Sequence, residues 1–172
     1  MPENSAPENS PAIDPRELRN ACGRFATGIT VVTTELDGTV HGMTANAFMS
    51  VSLDPPLLAV SVGHKATLHK MLQQTGRYAI SILRGDQEGF SSHFAGWPVE
   101  GLDPQFDQRQ GYPVLPDALA YFVCTVVDAH PAGDHTLYIG QVEYVEYTDG
   151  DPVLFYCGKY RQMAPAELPP VP

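Results

Sequence analysis

The spacing of apolar and polar residues changes several times along the chain, and each change predicts an element. Asp14-Pro15-Arg16-Glu17 opens a helix. Asp14 can cap it, Pro15 suits the first turn and Glu17 stands at the capping-box position. Leu18, Cys22 and Phe25 would form its apolar stripe. Residues 28–36 are rich in β-branched side chains and predict a strand. Asp37-Gly38 is a two-residue hairpin turn, and the return strand starts at about Val40. Residues 57–62, apolar on both sides, predict a further strand. Residues 67–74 predict a short helix closed by Gly76, 77–83 alternate as a strand does, and 86–94 predict another short helix. Gly96, Pro98, Gly101, Pro104, Gly111, Pro113 and Pro116 mark 96–117 as a long ordered or semi-ordered loop. Residues 118–130 and 136–147 predict two long strands, and 153–157 the last one, after an Asp149-Gly150 turn. About seven strands with short links and few helices predict a mainly β protein. An antiparallel, Greek-key-like barrel fits this order better than a doubly wound sheet.

Composition sets limits on that picture. The chain has 172 residues, enough for one domain with a real core, expected here over 14–162. Residues 1–13, rich in Pro, Glu, Asn and Ser, predict a disordered tail, and 163–172 a Pro-rich extended one. There is no run of eighteen apolar residues, so no transmembrane helix is expected, and the N-terminus lacks the pattern of a secretory signal. A net charge of −10 argues against a nucleic-acid surface and against an anionic membrane. Phosphorylated cofactors stay compatible, because a few local cations or backbone amides can override the global sign. Cys22, Cys124 and Cys157 lie far apart with no C-x-x-C, which predicts a reduced, cytosolic protein with buried structural cysteines. The six histidines show no metal-binding spacing, so no metal is expected. The nucleophile elbow G-x-S-x-G is absent, as are the glycine-rich dinucleotide and P-loop motifs.

Four segments are candidates for chemistry. Thr44-Ala45-Asn46 places small and hydrogen-bonding residues where packing would favour branched apolar ones. It reads either as an ordinary edge strand or as a strand whose backbone meets a flat, polar ring. In Ser50-Val51-Ser52-Leu53-Asp54-Pro55-Pro56 the two serines can donate to ring or phosphate oxygens, or the segment is simply a rigid turn. Ser61 precedes a helix start bearing Lys65 and Thr67. That helix end is either a capped terminus with a solvated lysine or a phosphate site. Gly133-Asp134-His135 fits a tight turn, which explains Gly133 and Asp134 better than it explains His135. A neutral imidazole there can stack on or hydrogen-bond a ligand, or act as an acid or base.

Taken in order, these pieces resemble the flavin reductase-like family, the reductase components of two-component flavin-dependent monooxygenases. The likeness runs from Arg19 to Tyr160. It is carried by residues 25–34, Thr44-Ala45-Asn46, residues 50–57, Gly133-Asp134-His135, and Phe155-Tyr156 with Gly158-Lys159-Tyr160. The resemblance implies a split β-barrel of the FMN-binding type, built as a homodimer. It implies transfer of hydride from NADH or NADPH to FMN or FAD, with reduced flavin diffusing to a monooxygenase. By position, Thr44, Ala45, Asn46, Ser50, Val51 and Ser52 would line the ring and ribityl chain, and Ser61, Lys65 and Thr67 would hold the phosphate. Phe94 would close over the flavin and His135, within Gly133-Asp134-His135, would position the nicotinamide. Thr27 and Tyr160 are further carry-overs. Cys157 stands where many relatives carry Arg. Two alternatives share such a barrel: an electron carrier that binds FMN tightly, and a pyridoxamine phosphate oxidase-like enzyme. The latter needs more phosphate-site cations than Lys65 alone.

Overall fold

The computed structural model describes residues 13–164, so both predicted tails lie almost wholly outside the described residues. Helix α1 (Pro15–Cys22) is capped by the Asp14 carboxylate, which accepts from the Arg16 amide at 2.8 Å. Then follow β1 (Thr27–Gly28), β2 (Thr30–Leu36), β3 (Thr39–Ala45), β4 (Phe48–Leu53), β5 (Pro56–Gly63), α2 (Thr67–Thr75), β6 (Arg77–Ile82) and α3 (Glu88–Phe94). The chain continues through β7 (Asp107–Arg109), β8 (Tyr112–Val114), β9 (Ala120–Ala132), β10 (His135–Tyr147), β11 (Leu154–Tyr156) and β12 (Lys159–Arg161).

Seven strands form one antiparallel sheet in the order β3-β2-β6-β9-β10-β5-β4. Its edge strands β3 and β4 are consecutive in sequence, joined only by Asn46-Ala47. Three residue steps span at most about 11 Å, so the sheet must curl until its two edges meet at that end. No ladder joins the two edges among the described residues. Short ladders add a three-stranded sheet β1-β11-β12 and the hairpin β7-β8.

Alternation along β2 sorts residues between two cores. Val32 joins Leu58, Val60, Val62, Tyr78 and Ile80 under α2, whose Leu68 and Leu72 are buried. Burying each of those leucines contributes roughly 2 kcal/mol. Ile29 and Val31 face the other way, with Leu83, Leu115 and Val153, against Phe90 and Phe94 of α3. Beneath β10, Gly140 sits at a bulge, where a Cβ would lie 2.2 Å from the Tyr78 hydroxyl. That hydroxyl is buried beside the Cys124 thiol, and burial pushes the thiol up to about 12.

Several expectations change. The return strand after Asp37-Gly38 is two strands, β3 and β4, at opposite edges of the sheet. The 96–117 loop contains the hairpin β7-β8, turned by Gln110-Gly111 at φ 49° and 71°. The last strand becomes β11 and β12 around a Cys157-Gly158 turn at φ 51° and 73°. Helix α1 buries no side chain, so Leu18 and Phe25 form no core stripe. Of the cysteines only Cys124 is buried; Cys22 is exposed and Cys157 partly so.

Candidate active site

A cleft of about 670 Å³ opens between the β1 segment, the Asn46-Ala47 link and β5. Three predicted residues line it: Thr27, Asn46 and Ser61. The Thr27 hydroxyl is buried and has no protein partner. Such an oxygen is costly to bury unless a ligand or water satisfies it. The remaining walls are mostly apolar, including Phe25, Met49, Ala59 and Leu137. An apolar slot with a few fixed polar atoms suits a planar heteroaromatic ring that carries hydrogen-bonding edges.

Pairing extends this wall beyond the cleft. Ser61 lies opposite Leu137, and Gly63 opposite His135. Residues directly opposite in an antiparallel pair share a face, so Ala59, Ser61, Gly63, Leu137 and His135 form one continuous surface. Gly63 keeps it flat: a Cβ there would sit 3.5 Å from His135 Nε2. Gly133 turns the β9–β10 hairpin at φ 61°, placing Asp134 and His135 at its end. Asp134 Oδ1 lies 2.7 Å from His135 Nδ1, and this hydrogen bond is the main cause that holds the Asp134 carboxyl below its usual range. With the Asp134 partner fixing the proton on Nδ1, Nε2 is left to accept or to stack.

Past Gly63 the chain enters α2. Its cap residue Ala66 supplies no side-chain hydrogen bond, so the first amides of the helix stay open to an anion. Thr67 is the first helical residue and Lys65 stands just before the cap, both exposed. Lys65 forms no ion pair among the described residues. Behind this turn, His64 Nε2 lies 3.1 Å from Thr136 Oγ1, and His69 Nδ1 lies 2.8 Å from the Tyr138 hydroxyl. Burial, then the nearby His64, lowers the His69 pKa.

The other predicted residues lie elsewhere. The Thr44 hydroxyl donates to the Ser91 carbonyl at 2.7 Å and so anchors α3. Ala45 is in the core. Ser50 and Val51 are exposed on β4, and Ser52 donates to the Pro55 carbonyl in the β4–β5 turn. Ser50, opposite Leu58, does not line the cleft. Phe94 packs on Gly42 and lines a second cleft of about 390 Å³ with His41, His93 and Phe106. The Tyr160 hydroxyl donates to Ser91 Oγ at 2.9 Å. Conversely, Phe25, Met49 and Leu137 line the main cleft without having been predicted. Their only sequence signal is apolar alternation next to small residues. Next to Phe25, the Arg24 pKa is raised, first by the Tyr156 hydroxyl and then by Cys157, which places its guanidinium against the β11–β12 turn.

Fold and site together define a small antiparallel β protein with a cofactor-sized cleft and an open helix N-terminus beside it. The profile of the flavin reductase like domain matches residues 22–164, and the chain belongs to that family. It is 52% identical over 162 residues to an NADH-dependent flavin reductase from Rhodococcus sp, covering 92% of each chain. It is 40% identical over 147 residues to the reductase component of 4-hydroxyphenylacetate 3-monooxygenase from Thermus thermophilus, covering 85% of this chain and 95% of that one. The structure of the flavin reductase PheA2 in its native state superposes with a TM-score of 0.86 at 54% identity, over 88% of this chain and 99% of that one.

Proposed function

We propose that this protein is an NADH-dependent flavin reductase that passes hydride to FMN or FAD and delivers reduced flavin to a monooxygenase component. The observation that carries this reading is an apolar cleft lined by Thr27, Asn46 and Ser61. From that cleft one flat strand face runs to His135 on one side and to the open end of α2 on the other. The apolar cleft walls and the bare Gly63 fit a planar ring. Lys65 and the α2 amides fit its phosphate. The named activities of the relatives support the choice of NADH and of a monooxygenase partner.

The two bound cofactors supply the redox chemistry, while the protein supplies position and field. Asn46 and Ser61 would orient the ring by hydrogen bonds to its polar edge. Phe25, Met49 and Leu137 would exclude water from its sides. Lys65, Thr67 and the first α2 amides would fix the phosphate and with it the register of the ring along β5. His135, oriented by Asp134, would hold the nicotinamide above the same face. No side chain here is needed as a nucleophile. The curl that joins β3 to β4 supports a split-barrel description. Exposed Met49, Val51 and Leu53 on β4, with Phe25 from the cleft rim, supply an apolar face for a homodimer. The cytoplasm, where NADH is regenerated, is the compartment this reading requires.

The test is consumption of NADH or NADPH with FMN, FAD or riboflavin, compared between wild type and His135→Ala. The expected result is flavin-dependent NADH oxidation, with the variant losing at least about tenfold in kcat/KM for NADH while keeping its flavin affinity. No oxidation with any flavin overturns the assignment, and an unchanged kcat/KM removes His135 from the site.

A further inference from the structure

Cys22 and Cys157 are separated by most of the chain, yet the fold brings their backbones together. The Cys157 amide donates to the Gly23 carbonyl at 2.9 Å. A Cβ built on Gly23 would lie 3.6 Å from the Cys157 Cα. Adding one Cα–Cβ bond and one Cα–Cα step places the Cys22 and Cys157 Cα atoms no more than about 9 Å apart. A disulfide spans about 4.4–6.8 Å between Cα atoms. The remaining adjustment falls on α1, which buries no side chain and can shift at little cost. Both cysteines are free, Cys22 exposed and Cys157 partly so, whereas Cys124 is buried.

The geometry points to Cys22 and Cys157 as a peroxide-oxidised pair that closes an intramolecular disulfide between the end of α1 and the β11–β12 turn. One thiol attacks a peroxide oxygen, the O–O bond breaks, and the sulfur becomes a sulfenic acid as water leaves. The second thiol displaces the hydroxyl from that sulfur as a second water, forming the S–S bond. Two thiols lose two electrons and two protons, and hydrogen peroxide takes them up as two waters. The source of peroxide rests on the proposed function, since dioxygen oxidises free reduced flavin to give it. The disulfide itself does not. Residues 25–28 follow Cys22 after only Gly23 and Arg24 and line the main cleft, so the link would clamp one cleft wall to the closing hairpin.

The full-length protein is reduced, freed of reductant and treated with hydrogen peroxide, then alkylated and digested without reduction. Trypsin with a Glu-specific protease separates Cys124 from Cys157 by cutting after Glu143 and Glu146. The expected product is a cross-linked peptide pair containing Cys22 and Cys157, two hydrogens lighter than its parts, and absent from Cys22→Ser and Cys157→Ser. Alkylated thiols at both positions, separate sulfinic or sulfonic acids, or a link only between two chains on a non-reducing gel overturns the proposal. A second arm replaces added peroxide with NADH, FMN and air. A cross-link formed by added peroxide but not in this arm keeps the thiol pair and counts against the flavin reading. Loss of the cross-link in this arm on adding catalase confirms peroxide as the oxidant.

Discussion

Gly63→Ala separates the site from the scaffold. The glycine lies in β5 opposite His135, and the added Cβ would meet His135 Nε2 at 3.5 Å and two ring carbons at 3.8 Å. Those are ordinary contact distances, so the fold has room for the methyl group. Removing a flexible glycine from a strand stabilises by roughly 0.5–1 kcal/mol. For a chain of 172 residues that raises Tm by about 1–4 °C. The same methyl stands up from the flat face between Ser61 and Lys65, where a bound ring and its ribityl chain would lie. Overfilling a close-packed contact costs about 1–3 kcal/mol, which weakens flavin binding by about five- to 150-fold. Thermal unfolding and a fluorescence titration with FMN read the two effects separately. A variant with raised Tm and flavin affinity within about twofold of wild type would show that the cofactor does not lie over Gly63. A lowered Tm would refute the space argued at that position.

Other expectations follow the same logic. Lys65→Ala weakens FMN binding by about tenfold and leaves riboflavin binding unchanged, because only the phosphate needs the cation; equal losses for both ligands would remove Lys65 from the phosphate site. Gly140→Ala drives a methyl into the Tyr78 hydroxyl at 2.2 Å and the Cys124 Cβ at 2.8 Å. It costs about 3 kcal/mol in urea unfolding, partly restored by Tyr78→Phe. Glu143 has a lowered pKa, held first by the Thr125 hydroxyl and also by Arg77. A depressed carboxyl stabilises the fold above its unfolded pKa, and that contribution is lost as pH falls through the folded one. Tm therefore declines as pH falls below the ordinary glutamate value of about 4.3, and Glu143→Gln flattens the decline; an unchanged slope would assign it to other carboxylates.

The sequence made legible those parts of the fold whose signals are local. Asp14 and Pro15 start α1, Asp37-Gly38 turns β2 into β3, Gly76 at φ 60° ends α2, and Gly133 turns the long hairpin. The break at Asn46-Ala47 was invisible, because both halves of 40–53 have strand character and only sheet order reveals that they sit at opposite edges. The β7–β8 hairpin was masked by Pro113 within β8 and by a Gln-Gly turn in place of Asn-Gly. Site residues split in the same way. Ser61 and His135 follow from a strand end and a turn, and they share a face through a pairing fixed by the fold. Thr44, Ala45 and Ser52 have the right chemistry, but α3, the core and the β4–β5 turn use those groups. Which neighbour a hydroxyl meets is a tertiary fact.

The two-residue link between the edge strands also ties ligand binding to the completion of folding. Thr27, Asn46 and Ser61 come from three separate segments, and they meet only once the whole seven-strand order has formed and curled. A chain with one edge strand unpaired has no cleft, so a ligand of this site distinguishes the native state from every partly assembled one. Its binding energy then adds to global stability, by about 2.7 kcal/mol at a hundredfold excess over Kd. A reductase that releases its flavin between turnovers would therefore alternate between a more and a less stable form of the same fold.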